Sequence, residues 1–202
     1  MANQTDAAPP VLGQAALAGI AAYSSMADGT APGLHFYELA HIGKLNLRGG
    51  ASLENAVRQT TGCNFPPAAN RFSSAGERHA IWLGPDEFLL LCEAGKETQI
   101  ETNLNRVIGD GAAVTDVTDS LCALALEGTA VRQTLAKGCA LDLHESAFTT
   151  GMSAQTMLAL AAVTLLACAN DRFIIICRTS FAPYLRDWLC DAGLEFGVSF
   201  KN

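Results

Sequence analysis

Pro85-Asp86-Glu87-Phe88-Leu89-Leu90-Leu91-Cys92 and Asn170-Asp171-Arg172-Phe173-Ile174-Ile175-Ile176-Cys177 follow one pattern, 85 positions apart in the chain. Each opens on turn chemistry and continues with Phe, three aliphatics and Cys. A short run that is apolar at every position reads as a strand buried on both faces. Pro fixes φ, and Asp and Asn tolerate tight bends, so each run should be the second arm of a hairpin. In the same register Ile100 meets Leu185 and Leu104 meets Leu189, on the helix expected after each run. Upstream, Leu47-Arg48-Gly49 is echoed by Leu126-Glu127-Gly128, each ahead of a helix.

Working outward from the first copy, His41 to Leu47 alternates like a strand. Ser52 reads as the N-cap of a short helix that ends near Gly62. Pro66 to Glu77 reads as a long loop. Ala80 to Leu83 is the first arm of the hairpin, and Ile100, Leu104, Val107 and Ile108 mark a helical stripe. Val114 and Val117 belong to a further strand. The second half repeats the order. Leu121 to Leu126 is a strand and Thr129 to Ala136 a helix, and Cys139 to Gln155 is a connection. Thr156 to Cys168 holds a strand paired with Phe173 to Cys177. Phe181 to Ala192 is a helix, and Leu194 to Phe200 is a last strand. The fold class is therefore α+β, as two duplicated ferredoxin-like βαββαβ halves, each with helices on one face of an antiparallel sheet. The expected division is an N-terminal arm over 1–33, rich in Ala, Gly, Ser, Thr and Pro and read as flexible, a first half over 34–115 and a second over 116–202.

The 202 residues are half hydrophobic, carry only 16% charged residues and have a net charge of −7. The thirteen Lys and Arg are scattered, which excludes the concentrated basic face of a nucleic-acid binder. No apolar stretch reaches the length of a membrane span. Met157 to Ala169 is the most apolar window and reads as a buried strand region. Seven cysteines form no CxxC pair and have no His at metal-ligand spacing. They are expected as reduced thiols in a core, which points to a cytoplasmic setting.

The chain lacks HxxxH and HExxH arrays, a GxSxG elbow, a GxxxxGK loop and a GxGxxG after a strand. No flavin, nicotinamide or metal site is expected in it. The densest polar group is Lys137, Asp142, His144, Glu145 and Gln155. Two readings stand for it, an acid/base or anion-binding loop and a polar connection that faces a partner, and the second is expected. Arg71, Glu77 and Arg78 form another polar group on the Pro66 to Arg78 loop. Long irregular segments of this kind mix charges with apolar anchors such as Phe65, Phe72, Leu141, Leu143 and Phe148, a blend that suits a stable protein interface. The expected interface residues are Arg71, Phe72, Arg78, Lys137, Asp142, His144 and Gln155.

Three segments resemble the gamma subunits of heterotetrameric sarcosine oxidases. They are Asn70-Arg71 with Gly76-Glu77-Arg78 and Trp82 to Leu90, Leu135-Ala136-Lys137-Gly138-Cys139-Ala140-Leu141-Asp142-Leu143-His144, and Phe181 to Leu189. The resemblance covers roughly residues 40 to 195. It implies a fold like the folate-binding domain of aminomethyltransferases. It also implies a non-catalytic subunit in an alpha-beta-gamma-delta complex, with the alpha subunit as the expected neighbour. That complex demethylates sarcosine oxidatively to glycine, forms hydrogen peroxide and passes a one-carbon unit to tetrahydrofolate. FAD, FMN, NAD and tetrahydrofolate are then expected in partner subunits, and no cofactor in this chain. No motif here matches the acidic residue on which aminomethyltransferase catalysis depends. The alternatives are an accessory subunit of a related N-methyl amino acid dehydrogenase, such as N-methylglutamate dehydrogenase, and a folate-dependent aminomethyltransferase-like enzyme.

Overall fold

The computed structural model describes residues 13–27, 29 and 31–201. Two short strands come first, β1 (Tyr23–Ser24) and β2 (Leu34–Glu38). A first unit follows as β3 (Gly43–Arg48), α1 (Ala51–Thr61), β4 (Phe72–Ala75), β5 (Arg78–Gly84), β6 (Glu87–Cys92), α2 (Glu97–Asn105) and β7 (Ala113–Asp116). A second runs as β8 (Leu121–Glu127), α3 (Val131–Ala136), β9 (Ser153–Leu158), β10 (Ala161–Ala169), β11 (Arg172–Arg178), α4 (Ala182–Ala192) and β12 (Val198–Lys201). One sheet has five strands in the order β4-β5-β6-β3-β7, the other seven in the order β1-β12-β2-β8-β11-β10-β9.

The two uniformly apolar runs lie within β6 and β11, and each serves two cores. Side chains alternate across a strand. Phe88, Leu90 and Cys92 therefore pack under α1 and α2 with Leu53, Val57, Ile100 and Leu104. Phe173, Ile175 and Cys177 pack under α3 and α4 with Val131, Leu135, Leu185 and Leu189. The intervening residues form a third core between the sheets, where Ile81, Leu89 and Leu91 meet Ala123, Leu166, Ile174 and Ile176. The molecule is thus layered helix, sheet, sheet, helix, and neither strand has a face left for water.

The units agree in detail. Pro85-Asp86 and Asn170-Asp171 are the two-residue turns of corresponding hairpins. Gly49 donates its N–H to the Asp86 carbonyl at 3.0 Å, and Gly128 donates to the Asp171 carbonyl at 2.9 Å. Both glycines have positive φ, 144° and 125°, which a β-carbon would strain. An ion pair closes each site with its signs exchanged, Arg48 with Glu87 at 2.8 Å and Glu127 with Arg172 at 3.3 Å.

Several expectations change. Helix α1 starts at Ala51 with Gly50 at its cap, not Ser52, because no side chain caps it. The loop expected from Pro66 to Glu77 contains edge strand β4, paired with β5. The apolar window at Met157 splits into β9 and β10, and Leu160 at their turn is 75% exposed. Strand β2, expected in the first half, lies in the seven-stranded sheet between β8 and β12, antiparallel to one and parallel to the other. The expected arm falls partly outside the described residues. Within its described part Leu17 is fully buried, and β1 pairs with β12.

Candidate functional site

The sequence-marked polar residues fall into separate groups. Lys137, just past α3, donates to the Ala192 carbonyl and pairs with Glu195, with Nζ 4.8 Å from the Phe196 ring. It ties the end of α3 to the end of α4. Asp142 and His144 are exposed. Asp142 accepts the His144 N–H at 2.9 Å, and His144 Nδ1 lies 2.7 Å from Ser146 Oγ. These bonds are local turn chemistry. Asp142, His144 and Glu145 line a cavity of about 510 Å³ between α3 and the following connection.

Arg132, which no sequence motif marks, organises that connection. Its Nη1 donates to the Leu143 and Phe148 carbonyls at 2.6 and 3.1 Å, and Nε donates to the Asn170 carbonyl at 2.9 Å. The guanidinium also lies over the Phe173 ring at 4.9 Å. A planar fork that reaches several carbonyls at once suits this task better than a lysine.

Gln155 lies elsewhere, on β9, and donates to the Leu83 carbonyl at 2.7 Å. The bond crosses from one sheet to the other. Arg71 and Phe72 lie on the same side of the molecule, where Arg71 bridges Met152 and Phe72 N–H donates to the Gly151 carbonyl at 3.1 Å. Arg78 pairs with Glu93 at 2.8 Å and donates to the Thr61 carbonyl at 2.8 Å, while Glu77 is exposed. The hydrogen bond from Arg78 holds the Glu93 carboxyl below the usual carboxylate range. The structure therefore joins Arg71 and Phe72 with Gln155, and separates them from Lys137, Asp142 and His144. Acid/base chemistry across the full set has no geometric basis.

One further polar group was missed. Lys44 on β3 is only 3% exposed and donates Nζ to the Ile42 carbonyl at 2.9 Å. Burial pulls its pKa down, opposed by the nearby Cys122 and by the carboxylates of Glu38, Asp116 and Asp119. With Glu38, Glu97, Asp116 and Asp119 it lines a cavity of about 690 Å³. Glu38 is already engaged, accepting the N–H groups of Ala16 and Leu17 at 2.9 and 2.8 Å. The alternation of β3 marks Lys44 as an outward polar residue, so no sequence signal announces its burial.

All seven cysteines are free, and six are buried. Burial pushes the Cys63, Cys168 and Cys190 thiols up, and burial with Glu97 pushes Cys92 up to about 12. Cys122 and Cys177 face each other in register on β8 and β11, and their mutual hydrogen bond and burial raise Cys122. Cys63, Cys92, Cys122, Cys168 and Cys190 therefore lack the lowered pKa of a nucleophile; the hydrogen bond from Cys122 lowers that of Cys177 against its burial, which leaves it a buried acceptor between two strands. Among the described residues no group of three or more His, Cys, Asp and Glu is placed to hold a metal ion, and no helix is long and apolar enough to cross a membrane.

Two stacked sheets between helical layers define the class of protein first. The same fold occurs in the glycine cleavage system aminomethyltransferase T of Bartonella henselae, at a TM-score of 0.59 and 14% identity, over 85% of this chain and 48% of that one. At that identity the likeness concerns the fold alone. A family model is more specific: that of the sarcosine oxidase gamma subunit family matches residues 48–195. The sarcosine oxidase subunit gamma of Corynebacterium sp. (strain P-1) is 32% identical over 177 residues, covering 85% of this chain and 86% of that relative. A chain in the structure of heterotetrameric sarcosine oxidase from Corynebacterium sp. U-96, in complex with pyrrole 2-carboxylate, has a TM-score of 0.76 and 30% identity. It spans 83% of this chain and 87% of its own length. The chain belongs to the sarcosine oxidase gamma subunit family.

Proposed function

We propose that this chain is the non-catalytic gamma subunit of a heterotetrameric sarcosine oxidase, a structural component that supports the oxidative demethylation of sarcosine by its partner subunits. The observation that carries this reading is the match, in sequence and in fold, over 83% of this chain to a chain of such a complex. The internal role of the polar residues supports it. Lys137, Arg132, Arg78 and Gln155 are engaged with carbonyls or carboxylates of their own chain. They hold loops in shape and are not aimed together at a substrate. In this reading FAD, FMN, NAD and tetrahydrofolate belong to partner subunits, the complex is cytoplasmic, and the alpha subunit is the principal neighbour. The contact surface includes Arg71, Phe72, Arg78, Lys137, Asp142, His144 and Gln155. Its two patches are the β4 edge with β9, and the connection after α3.

Co-expression of the chain with its neighbouring genes tests the proposal. The expected result is a stable complex that contains flavin and oxidises sarcosine, together with a lone chain that is colourless and melts at lower temperature, since association stabilises the folded state by mass action. A lone chain that binds flavin, or that is as heat-resistant and monodisperse as the complex, would overturn it. Saturable binding of tetrahydrofolate by the lone chain would favour the aminomethyltransferase-like alternative.

A further inference from the structure

The core between the sheets does not end in a plain solvated rim. Along the face of β5 that meets the other sheet the row reads Leu83, Ile81, His79. Along β11 it reads Ile176, Ile174, Arg172. The inner members of both rows pack together, and the last member of each lines one cavity of about 560 Å³ at the end of the seam. Its walls are apolar, formed by Leu39, Ile42, Phe72, Leu91 and Ile174. A volume of this order with a few convergent polar groups is typical of small-molecule sites.

The two polar groups that close the seam are both basic and come from opposite sheets. His79 Nδ1 lies 2.8 Å from Ser74 Oγ, which fixes the ring, and Phe72 meets the ring edge-on at 5.7 Å. Nε2 has no hydrogen-bond partner among the described residues. Arg172 gives Nε to Glu127 at 3.3 Å and lies beside Tyr37. A guanidinium carries five N–H donors, more than these partners occupy. The remaining titratable groups of the cavity are Cys168, Cys92 and Glu77. Glu77 is exposed on the rim and forms no ion pair among the described residues. Burial and the Arg172 charge together push the His79 pKa below its ordinary value. The Arg172 charge across the cavity disfavours a proton on His79, and an anion held between the two would offset that effect.

We propose that the end of the inter-sheet seam binds a small organic carboxylate with a compact apolar body, its charge held between His79 and Arg172 and its body against Ile42, Leu91 and Ile174. The carboxylate accepts from Nε2 of the imidazolium and from the guanidinium, and the apolar part continues the core that the sheets form. Bound anion favours the protonated ring, so affinity rises as pH falls through the His79 pKa.

The test uses the full chain, with benzoate as probe and benzyl alcohol as its uncharged counterpart. His79 ring signals are followed by NMR across a pH series, and affinity by calorimetry. Benzoate is expected to shift the His79 signals saturably and to raise the His79 pKa by about one unit. It should then bind about tenfold more tightly well below that pKa than well above it. Arg172→Gln, at a half-exposed position that should fold normally, is expected to weaken benzoate at least about tenfold. Three results would each overturn the site: no saturable shift with benzoate, an equal effect of benzyl alcohol, or unchanged binding by a folded Arg172→Gln chain.

Discussion

Replacing Ile174 by Ala tests the layered architecture most directly. Ile174 belongs to the inter-sheet core, next to the cavity at its end, and is 4% exposed, while its neighbour Phe173 points the other way, under α3 and α4. Truncation removes buried methyl and methylene groups. It also leaves a cavity that two sheets, each pinned by its own helices, cannot easily close. The expected cost is about 2–5 kcal/mol. For a chain of this size each kcal/mol lowers Tm by roughly 2–4 °C, so the midpoint should fall by about 4–20 °C. Thermal circular dichroism supplies the midpoint, and urea titration should show the loss at an unchanged slope. Leu160→Ala is the control. Leu160 belongs to the most apolar window of the sequence but is 75% exposed, so its removal should change stability by less than about 0.5 kcal/mol. If Ile174→Ala costs under about 1 kcal/mol, or Leu160→Ala costs as much as Ile174→Ala, the sheets are not packed face to face as described.

Lys44 makes a prediction with a definite sign. Its pKa is lowered by burial from an ordinary 10.5, so between the two values the unfolded chain binds more protons than the folded one, and stability should rise with pH across that alkaline window. Urea midpoints measured against pH should show this slope in the native chain and lose it in Lys44→Met. Glu38→Ala removes the acceptor of the Ala16 and Leu17 N–H groups; a cost of about 1–3 kcal/mol is expected, with faster proteolysis between residues 13 and 27 as the readout. Thiol titration of the native chain should label Cys168 first, since it is more exposed than the six buried cysteines, and denaturant should release all seven; prompt native labelling of Cys122 or Cys177 would contradict the packing of β8 against β11.

The two halves of the pattern were legible because the runs Phe88 to Cys92 in β6 and Phe173 to Cys177 in β11 are apolar at every position, a signature that needs two covered faces. The hairpin turns were legible because Pro85-Asp86 and Asn170-Asp171 leave the backbone little choice. Other elements were hidden for physical reasons. Strand β2 pairs with β8 and β12, whose residues lie about ninety and more positions further along the chain, and no local property of Leu34-His35-Phe36-Tyr37-Glu38 names that sheet. Strand β4 was hidden by Ser73 and Ser74, which an edge strand tolerates and a loop equally contains. The candidate interface residues were visible as polar groups in irregular segments. What each one does was not, because Lys137, Arg78 and Gln155 find their acceptors on elements distant in sequence.

The placement of β2 also decides how the halves depend on each other. In the first unit β7 closes the sheet directly against β3. In the second, β12 never touches β8, because β2 lies between them. The last strand of the chain is thus held by a strand from near its beginning, and β1 covers the outer edge of β12 in turn. A fragment that begins at residue 116 would lose both neighbours of β12 and expose Phe200, which is 1% exposed in the intact chain. The first unit in isolation would expose Ile81, Leu89 and Leu91, its buried contribution to the inter-sheet core. Each half repeats the order of the other, yet neither carries a complete set of covered faces, so the chain folds as one body that cannot be divided at the middle.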